Sequence, residues 1–139
     1  MFELKTLSKD AIPQALKRIE RYRLLNEPQV AVSICKDILQ VEPNNQEALI
    51  GMILAITDQF EMSSGAKINQ ALELIPRLNN EYDRDYYTGI IDEREAKARL
   101  NRRYPGVKHD AYDLLCDAMN WFERANELHP TCDEDALLR

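Results

Sequence analysis

The stretch Ala125-Asn126-Glu127-Leu128-His129-Pro130 ends an apolar helical pattern with a proline, and two related stretches occur earlier in the chain. They are Ile38-Leu39-Gln40-Val41-Glu42-Pro43 and Ala71-Leu72-Glu73-Leu74-Ile75-Pro76. Because proline lacks an amide hydrogen and disfavours helix in the residue before it, each stretch predicts an amphipathic helix that ends in a chain reversal. The recurrence predicts a chain built from helix pairs, and such repeats commonly stack into solenoids that bind other proteins.

The composition favours an all-α protein with a single domain. A chain of 139 residues, 45% of them hydrophobic, is long enough for one sizeable core but hardly for two. It has only four glycines and six prolines, and no segment alternates apolar and polar residues for long enough to predict a strand. We therefore expect residues 1–139 to form one helical domain.

The charge balance argues against two classes of partner. With 18 basic and 24 acidic residues, the net charge is -6, which disfavours general binding to nucleic acid or to an anionic membrane. The basic cluster between Arg94 and Lys108 has no aromatic stacking platform beside it, so we interpret it as a charged outer helix face. The longest apolar run, Ala48 to Thr57, is too short to span a bilayer.

The cysteines and the N-terminus predict a cytoplasmic protein. Three cysteines, none in a Cys-x-x-Cys pair, are typical of a reducing compartment. The first residues lack the basic and apolar segments of a secretory signal.

Apolar periodicity and helix-breaking residues predict three helix pairs, of which the last is elongated. The three units span about 12–45, 46–78 and 79–132, and 133–139 resembles the first turns of a further helix. Because that helix scarcely begins, we expect the chain to be a fragment or to be capped by another subunit. The expected helices run from Ser8 or Asp10 to Leu25, from Pro28 to just before Pro43, from Gln46 to Phe60, from Ala66 to Ile75, from Asn80 to Arg103 and from His109 to Leu128.

At these positions the residues resemble the tetratricopeptide repeat (TPR) family, whose repeat of about 34 residues favours small and aromatic side chains at fixed positions and a terminal proline. The match is strongest in the second helices. The matching residues are Tyr22, Ala31 and Pro43 in the first unit, Leu49, Met52, Ile56, Ala71 and Pro76 in the second, and Ala118, Phe122, Ala125 and Pro130 in the third. In the first unit, Cys35 and Ile38 replace the family's aromatic residue and second alanine.

The resemblance implies a right-handed α-solenoid whose first helices line a concave groove. Carried over residue by residue, the groove positions are Leu16, Glu20, Arg23, Ile50, Leu54, Asp58, Tyr86, Ile90 and Arg94. The apolar members would form a stripe that binds a partner, or the long third pair would cover the stripe and turn it into core. The family's binders of acidic chaperone tails use lysine, asparagine and arginine in the groove. Here the corresponding positions are Leu16, Glu20, Gly51, Asp83 and Tyr87, which argues against that mode.

We therefore expect a protein-interaction scaffold without catalytic activity or cofactor, whose partner is a protein or a peptide. The alternative is a structural oligomerisation domain, a homodimer that associates through the groove or through the C-terminal end. An enzyme has little support, because no phosphate loop, nucleophile elbow or dinucleotide fingerprint is present. His129 and Cys132 are too few to close a metal site, so we expect no metal.

Overall fold

The computed structural model describes residues 7–62 and 66–128, and within them every regular element is helical. The predicted helix at 133–139, and the residues His129 and Cys132, lie outside the described residues. The described ranges contain six α-helices, which are α1 Ile12–Leu24, α2 Pro28–Val41, α3 Gln46–Thr57, α4 Ala66–Leu74, α5 Glu81–Arg102 and α6 Val107–Leu128. The predicted all-α class is confirmed.

The helix ends differ from the predicted ones by up to four residues, and the largest differences occur where short 3-10 turns replace the terminal turns. Such turns cover Lys9–Ala11 before α1, Phe60–Met62 after α3 and Ile75–Arg77 after α4. The third helix is predicted to end at Phe60, but α3 ends at Thr57, and Phe60 begins a 3-10 turn.

Local chemistry explains where the helices begin and reverse. The side chains of Asn45 and Asn80 accept hydrogen bonds from the backbone amides of Ala48 and Tyr82, at 3.0 and 2.8 Å, and so cap α3 and α5. At the far end of α5, Arg103 adopts a left-handed conformation with φ 49°, and the turn to α6 includes Gly106 at φ 81°.

Consecutive helices pack against each other: α1 contacts α2, α2 contacts α3, and α3 contacts α4. The most extensive contact is between α5 and α6. The first helices of the three pairs also meet, since α1 contacts α3 and α3 contacts α5. Buried side chains fill the spaces between these helices, with Ile19, Cys35 and Ile38 in the core shared by α1, α2 and α3, and Ile53, Leu78 and Ile91 in the core between α3, α4 and α5. The result is a row formed by α1, α3 and α5.

Two chain reversals are joined to each other, which fixes the start of α3 against the approach to α5. Arg77 donates through Nη2 to the carbonyl oxygen of Pro43 at 2.8 Å. Gln46 accepts a hydrogen bond from the amide of Asn79 at 2.8 Å. These contacts join the Pro43 turn to the turn after Pro76 and hold the row in register.

Candidate functional site

A groove of about 320 Å³ lies between α1 and α3. Its apolar floor consists of Leu16, Ile50 and Leu54, each of which is only half-buried. Glu20 and Glu47 lie at its rim with exposed side chains. The volume is at the lower end of the range of about 300–1,000 Å³ that is typical of ligand pockets. A groove of this size can receive a few side chains of a partner.

Gly51 lines the groove and lets α3 approach α1 closely. A Cβ atom at this position would lie 3.0 Å from Cγ2 of Ile19 and 3.6 Å from the sulfur of Cys35. Since Ile19 is buried and β-branched, it has little freedom to move away. Glycine in the middle of α3 therefore permits a helix contact that a larger residue would push apart.

Three charged side chains meet at the end of the groove. One lies on α1, one directly follows α3, and one lies on α5. Nε of Arg23, on α1, lies 2.7 Å from Oδ2 of Asp58, and Nη2 of Arg23 lies 3.3 Å from Oδ1. Nη1 of Arg94, on α5, donates to the same Oδ1 at 3.1 Å. The carboxylate of Asp58 is thus shared by two arginines and ties α1 and α5 to the end of α3. We call these residues the Arg–Asp–Arg cluster.

The position of Asp58 explains why it needs two cationic partners. It follows the last residue of α3, where the helix dipole places partial negative charge and disfavours a carboxylate. Arg23 and Arg94 offset this unfavourable field, and the two-point contact of Arg23 fixes the orientation of the carboxylate. The cluster therefore sets the spacing of α1, α3 and α5 at this end of the row.

A second, more polar pocket of about 320 Å³ continues beyond the cluster towards α5. Its charged side chains are largely matched within the protein. Nζ of Lys97 lies 3.6 Å from Glu93, and Glu61 accepts a hydrogen bond from Asn101 at 2.7 Å. This pocket therefore presents less unmatched charge to a partner than the rim of the first groove does.

The predicted apolar stripe is split between groove and core. Leu16, Ile50 and Leu54 line the open groove, whereas Tyr86 and Ile90 are only 9% and 1% exposed. The last two belong to the interface between α5 and α6, where the ring of Tyr86 packs against Phe122 at a centroid distance of 5.6 Å. The expectation that they form an open groove surface is corrected, because α6 covers that part of α5.

The structure also adds groove residues that the sequence reasoning did not place there. Ile19 and Glu47 line the groove together with the predicted Leu16, Glu20, Arg23, Ile50 and Leu54. Gly51 lines it as well, at a position that the repeat resemblance had already assigned to the groove. Gly51 also carries a signal of its own, since a glycine inside an apolar helical run often marks close approach of another helix. Glu47 carries no comparable signal, because an acidic residue in the first turn of a helix is ordinary.

The described residues contain no group of three or more histidine, cysteine, aspartate or glutamate side chains that could hold a metal ion. None of the described helices has the length and apolarity needed to cross a membrane. Cys35 is fully buried, and this burial raises the pKa of its thiol to about 12. Cys35 therefore serves as a small apolar core residue rather than as a nucleophile.

Comparisons of the chain with protein-family models, with curated proteins and with solved structures give no match.

Proposed function

We propose that this protein is a non-catalytic interaction module and that the groove between α1 and α3 binds a short segment of another protein. The supporting observation is a half-exposed apolar floor of Leu16, Ile50 and Leu54 between two packed helices. Apolar surface that remains accessible inside a concave site contributes binding energy when a partner covers it. A scaffold of rigid helices keeps this surface preformed.

The charge around the groove indicates the chemistry of the partner. Arg23 and Arg94 are already neutralised in part by Asp58, whereas Glu20 and Glu47 are exposed and have no ion pair within the described part of the chain. The charge left open at the rim is therefore negative. A segment with aliphatic anchors and adjacent lysine or arginine residues would complement both the floor and the rim.

The architecture that best accounts for this site is a right-handed solenoid of three TPR-like helix pairs. Two features support it: the first helices α1, α3 and α5 are neighbours in a row, and each short pair ends at a proline reversal. In such a solenoid the first helices form the recognition face, where the groove lies. We place the protein in a reducing cytoplasm, where the cysteines Cys35 and Cys116 remain free.

A pair of matched peptides tests the proposed partner class. Both peptides are amphipathic helices with the same leucine positions, but one carries lysine and the other glutamate at every flanking site. We expect the lysine peptide to bind more tightly, as measured by fluorescence anisotropy, and the preference to weaken with salt. The double substitution Glu20→Lys with Glu47→Lys should reverse the preference.

The matched control changes the same charge at a distance from the groove. Asp37 on α2 and Glu73 on α4 are exposed and do not line it, so Asp37→Lys with Glu73→Lys alters the net charge equally. This control should keep the preference for the lysine peptide. If it reverses the preference as strongly as the rim variant does, net charge explains the result and the groove is not the site.

A further inference from the structure

Helix α6 carries a second apolar surface besides the face that packs on α5. Ala111, Ala118, Phe122 and Ala125 are buried, and three of them belong to the α5 interface cluster. Tyr112, Leu115 and Met119 are in contrast 65%, 37% and 62% exposed. Their spacing of three and four residues places them in one stripe along the helix. We call Tyr112, Leu115 and Met119 the α6 stripe.

Opposite charges lie at the two ends of this stripe. Lys108 precedes Tyr112 by four residues, and Glu123 follows Met119 by four, so both continue the same helix face. Both side chains are exposed, and neither has an ion pair within the described ranges. Among the described residues, the surface is therefore apolar in the middle, with an unmatched cation at one end and an unmatched anion at the other.

This pattern is complementary to itself when the helix is reversed. The pairs Lys108 with Glu123 and Tyr112 with Met119 have the same midpoint, which falls between Leu115 and Cys116. Two antiparallel copies of α6 therefore bring each lysine opposite the partner's glutamate and each tyrosine opposite the partner's methionine.

We propose that the α6 stripe is the interface of a two-fold symmetric dimer in which α6 packs antiparallel against α6 of a second copy. A two-fold interface uses the same patch on both subunits, as this self-complementary pattern requires. The methionine sulfur and the tyrosine ring also make favourable contacts. A parallel pairing would bring like charges together at both ends, so the charges select the antiparallel arrangement.

The arrangement makes a specific prediction for Cys116, which is half-buried and adjacent to the midpoint of the stripe. Packed helices are about 8–10 Å apart, so the two copies of Cys116 come within reach of a short bifunctional thiol reagent. Cys35 does not compete for the reagent, because it is fully buried. A Cys132→Ser background removes the remaining thiol.

Sedimentation over a wide concentration range measures the dimer directly. A single helix pair is a small interface, so we expect a dissociation constant in the micromolar range or weaker. Met119→Glu places two carboxylates in the interface and should raise this constant by about tenfold or more. The control Leu24→Glu, at a residue of α1 that is 80% exposed, should leave it unchanged.

A charge swap tests the antiparallel register. Lys108→Glu alone and Glu123→Lys alone should each weaken the dimer, and the double variant should restore it, since the opposite charges again face each other. In the Cys132→Ser background, a short bis-maleimide should give a crosslinked dimer that disappears with Cys116→Ser.

Three outcomes would overturn the proposal. The first is a protein that stays monomeric at every concentration tested. The second is a double charge variant that is as weak as the single variants. The third is a Met119→Glu variant with the wild-type dimer mass but a lower melting temperature, which would show that the stripe is covered within one chain.

Discussion

The contact between Gly89 on α5 and Phe122 on α6 allows a sharp prediction, because the space for one methyl group is already occupied. A Cβ atom at position 89 would lie 2.7 Å from Cε1 and 2.9 Å from Cδ1 of the Phe122 ring. These distances are about 1 Å shorter than the favourable carbon–carbon separation of about 3.5–4.0 Å. Phe122 is buried, so its ring cannot turn out into solvent.

Two effects of Gly89→Ala oppose each other. Overpacking costs about 1–3 kcal/mol, whereas alanine stabilises a helix interior by about 1 kcal/mol relative to glycine. We expect the single variant to lose up to about 2 kcal/mol of stability. In a Phe122→Leu background the clash is relieved, and the same substitution should then stabilise the protein by about 1 kcal/mol.

The assay is a double-mutant cycle measured by urea titration of the wild type, both single variants and the double variant. The predicted coupling free energy is about 1–3 kcal/mol, and the propensity term cancels from it. A coupling below about 0.5 kcal/mol would mean that position 89 and the ring do not meet. It would also contradict the burial of Tyr86 and Ile90, because these residues are covered by the α5–α6 contact.

Three further predictions concern charged and titratable groups. Asp58→Asn removes the anion shared by Arg23 and Arg94, so unfolding in urea should show a loss of about 1–2 kcal/mol that shrinks at high salt. Burial, followed by the charge of Asp117, raises the pKa of Asp92 to about 6, so the folded state takes up a proton at higher pH than the unfolded chain. The contribution of Asp92 to stability should therefore rise as the pH falls from about 6 to about 4. Asp92→Asn should exceed the wild type in stability by about 1 kcal/mol near pH 7, and this difference should shrink over that range, as urea titrations of both proteins at a series of pH values would show. Burial raises the pKa of Cys35 to about 12, so mass spectrometry after maleimide treatment should find Cys35 unmodified until the protein is unfolded.

Helix boundaries were largely predictable because their signals are local. Pro28 opens α2, Asn45 and Asn80 cap α3 and α5, and these effects depend on residues a few positions away. The errors fall at helix ends such as Phe60, where a 3-10 turn replaced the last helical turn. Periodicity carries little information about such ends, because a 3-10 turn and the last turn of an α-helix share nearly the same residues.

The groove itself was only partly predictable. The resemblance to the TPR family implied that Leu16, Ile50 and Leu54 share one surface, and all three line the groove. The resemblance did not predict that Tyr86 and Ile90 are covered, since it gives the face of a helix but not what packs on that face.

The sequence by itself determined the helices, their breaks and the faces on which their apolar residues lie, because each follows from interactions within a few residues. The tertiary structure alone decided which apolar residues stay open and which charges are satisfied. Asp58 meets Arg23 and Arg94 across more than thirty positions of the chain in either direction. Such a meeting depends on how closely whole helices approach, and the space left at Gly51 and Gly89 helps to set that distance.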